Sequence, residues 1–254
     1  MTAFQMAKLM QQENINAALA VEKVLPQIAD TIDKVSERVK KGGRIFYIGC
    51  GTSGRLGVLD ASECPPTYGV SPETVIGIIA GGDAALRNAV EGAEDNRTAG
   101  RDDLDFYKIT ELDSVIGLSV SGNAAYVVGA LEKAREKGSL TVSISCNEKC
   151  LINEIADIAI TPDTGAEIIT GSTRMKAGTA QKMILNMIST GVMIKYGRVY
   201  ENYMIYIKPV NDKLKKRMIR IVSEIANIDA DQAENRLKEN NWEIKSAIER
   251  GLNL

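Results

Sequence analysis

Short apolar runs alternate with amphipathic stretches along most of the chain. Apolar residues recur at three- and four-residue steps through residues 21–39, which predicts helix over the first forty residues, kinked or divided at Pro26. Five runs that are apolar almost throughout follow, and helical stretches such as residues 124–137 separate most of them. They are residues 44–48, 74–79, 114–120, 140–145 and 157–160. This pattern predicts an α/β fold, a doubly wound parallel sheet flanked by helices.

The pattern changes towards the C-terminal end of the chain. Residues 172–195 predict a long helix opened by Ser and Thr residues. After a connecting arm at residues 200–209, three short amphipathic segments follow, at residues 212–227, 229–239 and 242–251. We therefore predict a main domain of residues 1–208 that includes the N-terminal helix, and a small helical C-terminal domain of residues 209–254.

Charge and hydropathy narrow the classes of partner. The 254 residues carry a formal net charge of −2, with 25% charged and 44% hydrophobic residues, so the chain has no electrostatic footprint for nucleic acid. No apolar run approaches the roughly 20 residues that span a bilayer, and the N-terminal residues do not resemble a signal peptide. We expect a cytoplasmic protein without a nucleic-acid or membrane partner.

The reactive side chains narrow the chemistry further. Four cysteines, Cys50, Cys64, Cys146 and Cys150, form no CxxC pair, and we interpret them as unpaired thiols. The chain has no histidine, which excludes a Ser-His-Asp triad and the common zinc sites that use imidazole. We expect no metal site, and acid–base chemistry must come from carboxylates, lysines, tyrosines or thiols.

The first apolar strand leads into a loop rich in glycine and hydroxyl groups at residues 49–55. Glycine lets backbone N–H groups approach an anion, and Thr52 and Ser53 add hydroxyl donors at the start of a helix, so Gly51, Thr52 and Ser53 are candidate phosphate ligands. The loop contains GxGxxG but lacks the acidic residue expected about 20 positions later, and Arg55 stands where a Walker A motif requires lysine. A dinucleotide site and a tight turn that binds nothing remain alternatives.

Two further segments could hold an anion. Ser119, Ser121 and Gly122 follow a buried strand and precede a helix, where they could bind the same phosphate or cap the helix. Ser172 and Lys176 lie in a segment where hydroxyls and two cations crowd a helix start. The helix dipole disfavours cations there, so a bound anion or carboxylate would explain them, unless they are solvated.

Position along the chain selects two carboxylates as candidate acids or bases. Glu63 lies past the first β–α turn in a small, apolar stretch, where we expect partial burial to raise its pKa. Glu94 lies beyond the second strand in an acidic cluster. Either could equally be a solvated surface residue.

Residues 49–66 read GCGTSGRLGVLDASECPP, which closely resembles the signature of bacterial N-acetylmuramic acid 6-phosphate etherases, relatives of glucokinase regulatory protein. Residues 79–82, 89–95 and 170–182 agree as well. The resemblance implies a sugar isomerase (SIS) fold, a C-terminal helical domain similar to a ubiquitin-associated fold, and a homodimer. One departure lies at residues 121–126, which read SGNAAY where such etherases typically read SGRTPY.

The resemblance also implies a chemistry. Such etherases are carbon–oxygen lyases that cleave the D-lactyl ether of N-acetylmuramic acid 6-phosphate to N-acetylglucosamine 6-phosphate and D-lactate in cell-wall sugar recycling, with no cofactor. Their acid–base residue and second active-site carboxylate correspond to Glu63 and Glu94, and their phosphate loops to residues 49–55 and 119–122. We therefore expect a small-molecule sugar phosphate as ligand. A non-catalytic sugar-phosphate sensor, like glucokinase regulatory protein, is the alternative, and an aldose–ketose isomerase is a third.

Overall fold

A computed structural model describes residues 1–252 and shows an α/β fold. Within these residues, five strands form one parallel sheet in the order β2-β1-β3-β4-β5. The strands are β1 (Ile45–Gly49), β2 (Val75–Ile79), β3 (Ser114–Leu118), β4 (Leu140–Ile144) and β5 (Ile158–Ile160). Four strands lie within a predicted apolar run and β1 extends one residue beyond its run, so the predicted parallel sheet is confirmed.

Helices precede, connect and follow these strands. They are α1 (Ala3–Glu22), α2 (Leu25–Lys40), α3 (Gly51–Tyr68), α4 (Ala84–Arg87), α5 (Arg97–Phe106), α6 (Ala125–Glu136), α7 (Leu151–Ile155) and α8 (Lys176–Lys195). The predicted N-terminal helix is divided between Glu22 and Leu25. Pro26 lies in the first turn of α2, where its missing N–H costs no helical hydrogen bond.

Helices cover both faces of the sheet. Phe46 of β1 and Val115 of β3 share one buried cluster with Leu131 of α6. The opposite face of β1 carries Tyr47, which is also fully buried and lies against α3. A Cβ atom at Gly57 of α3 would stand 2.9 Å from the Cβ of Tyr47, so this close approach of helix to strand requires glycine. Strands buried on both faces explain why the runs are apolar almost throughout.

Helix α8 begins four residues later than predicted. Ser172 does not open it. The Glu167 side chain caps it instead, because Oε2 accepts from the amide of Lys176 at 3.2 Å and Oε1 from that of Ala177 at 3.0 Å. The prediction that Ser and Thr residues open this helix is therefore wrong: a carboxylate from outside the helix satisfies the first-turn amides.

The chain divides into two compact units. The larger comprises residues 1–62 and 72–192, and the smaller comprises residues 63–71 with the chain from Met193 onward. The smaller unit contains a two-stranded hairpin, β6 (Val199–Tyr200) and β7 (Tyr203–Met204), and helices α9 (Asp212–Ala226), α10 (Ala230–Glu239) and α11 (Ile244–Leu252). These helices match the three predicted amphipathic segments.

The three C-terminal helices have a core of their own. Met218, Val222, Leu237 and Ile244 are fully buried in one cluster within the smaller unit. This core explains the amphipathic pattern of the segments, since each helix turns one apolar face inward. The domain boundary after residue 208 and the likeness to a ubiquitin-associated fold stay predictions.

Residues 1–252 lack two features, a membrane-spanning helix and a metal-binding cluster. No helix there is both long and apolar enough to cross a membrane. Within the same residues, no group of three or more His, Cys, Asp and Glu side chains is arranged to hold a metal ion.

Candidate active site

The predicted phosphate loops leave adjacent strands at the same edge of the sheet. Gly49 at the end of β1 pairs with Leu118 at the end of β3, so the loops starting at Cys50 and Ser119 begin side by side. The chain passes from β1 to β2 on one side and later returns to β3 on the other. In open α/β sheets, such a switch in strand order forms a crevice where ligands bind.

The first loop leads directly into α3. The amide of Gly54 donates to the carbonyl of Cys50 at 3.1 Å, so the amides of residues 51–53 lie at the open N-terminal end of the helix. Gly51 is exposed and Thr52 is partly exposed. Ser53 is buried, and its Oγ donates to Oε1 of Gln181 at 2.8 Å. Gly51 and Thr52 are therefore accessible from outside the fold, whereas the Ser53 hydroxyl links α3 to α8.

The second loop is a compact turn after β3. Ser119 is buried, and its Oγ accepts from the amide of Gly122 at 3.1 Å. Ser121 is exposed, and its Oγ accepts from the amide of Asn123 at 3.4 Å. Gly122 has a φ of +74°, and a Cβ atom there would stand 2.1 Å from Sγ of Cys150, so the turn requires glycine. Ser121 is thus the exposed serine of the turn, while Ser119 holds the turn together.

Asn123 lies at the departure from the typical etherase loop and joins this turn to α7. Its Oδ1 accepts from the amide of Leu151, the first residue of α7, at 3.2 Å. The asparagine at this position therefore has a local structural role.

The third predicted segment lies beside the first loop. A Cβ atom at Gly178, in the first turn of α8, would stand 3.4 Å from Cγ2 of Thr52. Lys176 is 4% exposed and forms an ion pair with Glu13 of α1, which holds the pKa of Glu13 below its ordinary value. Ser172 is partly exposed. Two carboxylates of the chain itself therefore interact with this segment: Glu13 pairs with Lys176, and Glu167 caps the start of α8. The sequence predicted an anion or a carboxylate here.

A cavity of about 180 Å³ lies against the first loop in the larger unit. Cys50, Gly51 and Arg55 line it on the side of α3, and residues 88–94 line it on the other, including Glu94. The structure therefore brings the candidate ligand Gly51 and the candidate carboxylate Glu94 to one cavity. Glu94 lies in a 3-10 turn, Ala93–Asp95, and is exposed.

Negative charge and burial act together on the thiol in this cavity. Burial raises the pKa of Cys50, and the nearby carboxylates of Glu94 and Asp95 raise it further, to about 12. The thiol is therefore protonated at neutral pH and is a poor nucleophile. Besides this thiol, the cavity is lined by two carboxylates, Glu91 and Glu94, which are its candidate acid–base groups.

Glu63 does not have the environment that its neighbours in sequence suggested. It lies on α3 within residues of the smaller unit, and its side chain is exposed. The adjacent Cys64 is 2% exposed and occupies the inward position. The expected partial burial of Glu63 is wrong because helical geometry turns neighbouring side chains in different directions, so small, apolar neighbours in sequence need not surround a residue in space.

Sequence reasoning missed several residues that build this region. Arg55 donates from Nε to the carbonyl of Leu86 at 3.0 Å and from Nη2 to that of Asn88 at 3.3 Å, across the cavity from α3. Gln181, Glu13 and Glu167 are the others, as partners of Ser53, of Lys176 and of the start of α8. The sequence signal for Glu167 was indirect, since two cations at a helix start called for a nearby negative charge.

Comparison with known structures gives the class of protein. A putative phosphosugar isomerase involved in capsule formation from Bacteroides fragilis matches with a TM-score of 0.59 and 16% identity, over 80% of this chain and 98% of that one. The Vibrio vulnificus NanR protein complexed with ManNAc-6P matches with a TM-score of 0.55 and 13% identity, over 76% of this chain and 64% of that one. A family model described as the glucokinase regulatory protein N-terminal SIS domain matches residues 27–135. The chain is thus an SIS-fold protein.

Sequence relatives narrow the class to one family. The N-acetylmuramic acid 6-phosphate etherase of Caldanaerobacter subterraneus subsp. tengcongensis is 54% identical over 248 residues, which cover 98% of this chain and 81% of the relative. N-acetylmuramic acid 6-phosphate etherase 1 of Bacillus licheniformis is 53% identical over 243 residues, which cover 96% of this chain and 80% of the relative. The chain belongs to the family of N-acetylmuramic acid 6-phosphate etherases.

Proposed function

We propose that this chain is a carbon–oxygen lyase that cleaves the D-lactyl ether of N-acetylmuramic acid 6-phosphate. The products are N-acetylglucosamine 6-phosphate and D-lactate. The observation that carries the proposal is the cavity against the first loop, where the N-terminal turn of α3 and the carboxylate of Glu94 meet. Membership in the etherase family supports the choice of substrate.

In this proposal, the turns after β1 and β3 bind the phosphate group of the substrate. The amides of residues 51–53 lie at the N-terminus of α3, where the helix dipole favours an anion, and the exposed Ser121 lies on the adjacent turn. Gly122 shapes that turn, and Ser119 holds it. Lys176 and Ser172 belong to the same proposal, in which a phosphate would compete with Glu13 for the lysine ammonium. NanR, which shares the fold, was solved with a sugar phosphate bound.

The proposed chemistry is an elimination followed by hydration. A carboxylate removes the proton from C2 of the sugar, the C3–O bond breaks, and the lactate oxygen takes a proton from an acid. Water then adds across the C2–C3 double bond, its hydroxyl going to C3 and a proton returning to C2. We propose Glu63 and Glu94 for these proton transfers, without a cofactor. Glu94 is favoured in one of these roles because it lines the cavity beside Gly51.

The test is incubation with N-acetylmuramic acid 6-phosphate in solvent that contains D₂O. We expect lactate release and deuterium at C2 of the product. Glu94→Gln and Glu63→Gln should each lower kcat by about 100-fold or more, the usual scale of acid–base catalysis, while binding of the sugar phosphate is retained. Asp95→Asn, an exposed neighbour of Glu94, is the matched control and should stay within about two-fold of the wild type. A folded wild-type protein that releases no lactate would refute the activity.

One observation favours a second candidate function. The family model that matches residues 27–135 is that of a regulatory protein, which fits a non-catalytic sensor of sugar phosphates. A sensor would bind a hexose phosphate, release no lactate and change its affinity for a protein partner. The lactate assay separates the two functions. Location in the cytoplasm and assembly as a homodimer are further parts of our proposal.

A further inference from the structure

Arg55 connects α3 to the segment that leads to Glu94. It lies one helical turn after Gly51, on the same side of α3, and both residues line the cavity. Its guanidinium donates to two carbonyl oxygens, that of Leu86 at 3.0 Å and that of Asn88 at 3.3 Å. These two carbonyls lie at the C-terminal end of α4 and at the residue that follows it.

This connection matters because α4 is short. A helix of four residues has little stability of its own, and its last carbonyl groups have no partner inside the helix. The planar guanidinium offers several donors in fixed directions and can bind two carbonyls at once. Arg55 therefore fixes the end of α4 relative to α3.

Between α4 and the 3-10 turn that carries Glu94 the chain is exposed, whereas Ala93 of that turn packs against the buried cluster beside α6. Residues 88–92 are exposed, and Gly92 has a φ of +75° just before the 3-10 turn Ala93–Asp95. Val90 packs near Gly81, because a Cβ atom added at Gly81 would stand 3.0 Å from the Cβ of Val90. The position of Glu94 thus depends on how firmly the two ends of residues 88–95 are held.

We propose that Arg55 is a positioning residue for Glu94: its guanidinium holds the Leu86 and Asn88 carbonyls, and so holds the Glu94 carboxylate at the cavity beside the N-terminus of α3. This inference rests on the proposed function, in which Glu94 transfers a proton. A misplacement of about 1 Å at a reacting group is enough to cost about 100-fold in rate. The competing role for Arg55 is direct binding of the substrate's phosphate.

The first test is the kinetics of Arg55→Lys with N-acetylmuramic acid 6-phosphate. Lysine keeps the charge but cannot span two carbonyls, so we expect kcat to fall by about 10- to 100-fold while KM and inhibition by inorganic phosphate change by less than about three-fold. Arg87→Lys, the same substitution at an exposed site on α4, is the matched control and should change neither constant. An unchanged kcat with a tenfold higher KM and weaker phosphate inhibition would overturn the proposal in favour of direct phosphate binding.

A second test asks whether Arg55 acts through Glu94. In a Glu94→Gln background, Arg55→Lys should cost less than about two-fold in kcat, because the group that it positions is already lost. Independent, multiplicative losses in the double variant would contradict the proposal.

A third measurement does not depend on catalysis. Amide hydrogen exchange of residues 88–95 should be at least about fivefold faster in Arg55→Lys than in the wild type, and unchanged in Arg87→Lys. Unchanged exchange in Arg55→Lys would overturn the proposal even in an active enzyme. If the wild type releases no lactate but exchange responds as expected, the proposed function fails while the connection between Arg55 and this segment stands.

Discussion

At the scale of single residues, the surroundings of a side chain determine its chemistry more than its type does. Cys50 and Glu94 line the same cavity, yet burial and the neighbouring carboxylates raise the pKa of Cys50 to about 12. The sequence left thiols open as acid–base groups. The cavity's own charges argue against Cys50 and for a carboxylate.

The raised pKa of Cys50 predicts slow alkylation. At about pH 8 an ordinary cysteine is partly thiolate, so we expect iodoacetamide to modify Cys50 at least about 100-fold more slowly than the thiol of an unstructured peptide in the same tube. Peptide mass spectrometry after timed quenching measures the rate. Modification of Cys50 as fast as the peptide would mean that the thiol is ionised and that its pKa is not raised.

At the scale of secondary structure, the helix ends were harder to predict than the helices. The sequence around residues 170–182 contains Ser172 and Thr173, which are common N-caps, but α8 begins at Lys176 with the distant Glu167 as its cap. A capping side chain that approaches from outside the local motif leaves no short-range signature.

The capping role of Glu167 predicts a loss of stability in Glu167→Gln. Glutamine can accept from one amide but loses the charge that the helix dipole favours, so the free energy of unfolding should fall by about 1 kcal/mol. Denaturant titration measures the difference. Glu148→Gln, at an exposed position, should change the stability by less than about 0.5 kcal/mol. Equal stability of Glu167→Gln and the wild type would show that this carboxylate does not support α8.

At the scale of the whole molecule, a buried carboxylate links α3 to α8 beside the sheet. Asp60 is 6% exposed, and its Oδ1 accepts from Nδ2 of Asn186 at 2.5 Å and from Oγ of Ser189 at 3.2 Å. Burial raises the pKa of Asp60, and these hydrogen bonds offset part of the increase. Folding therefore favours the protonated form.

The raised pKa of Asp60 predicts that the free energy of unfolding depends on pH, with lower stability at higher pH. In the unfolded chain this carboxyl has a pKa near 3.8, so between that pH and its higher folded pKa the native state holds the extra proton. The free energy of unfolding should then fall as pH rises through this window, and this component should be absent in Asp60→Asn. Urea titrations from about pH 4 to about pH 8 measure it, with the exposed Asp102→Asn as control. Parallel curves for the wild type and Asp60→Asn would contradict the assignment.

Much of the fold could be predicted because its causes are local. Runs such as residues 114–120 are mostly apolar because strands in a parallel sheet are buried on both faces, and β3 occupies Ser114–Leu118 within that run. The glycine-rich turn at residues 49–55 follows the first strand, as its composition indicated. The exposure of Glu63 could not be predicted, because it depends on which face of α3 meets the rest of the chain.

The sequence by itself determined the helices and strands, the parallel sheet and a chemistry without histidine. It also located the two candidate phosphate loops, residues 49–55 and 119–122, since all of these follow from residue types and short-range periodicity. The tertiary structure decided which groups are free to act. Ser53 finds Gln181 128 positions away, and Lys176 finds Glu13 163 positions away. Local sequence patterns cannot predict such pairs, because the two residues of each pair meet only when the sheet brings distant helices together. For the same reason, only the tertiary structure shows that Gly51, Arg55 and Glu94 line one cavity.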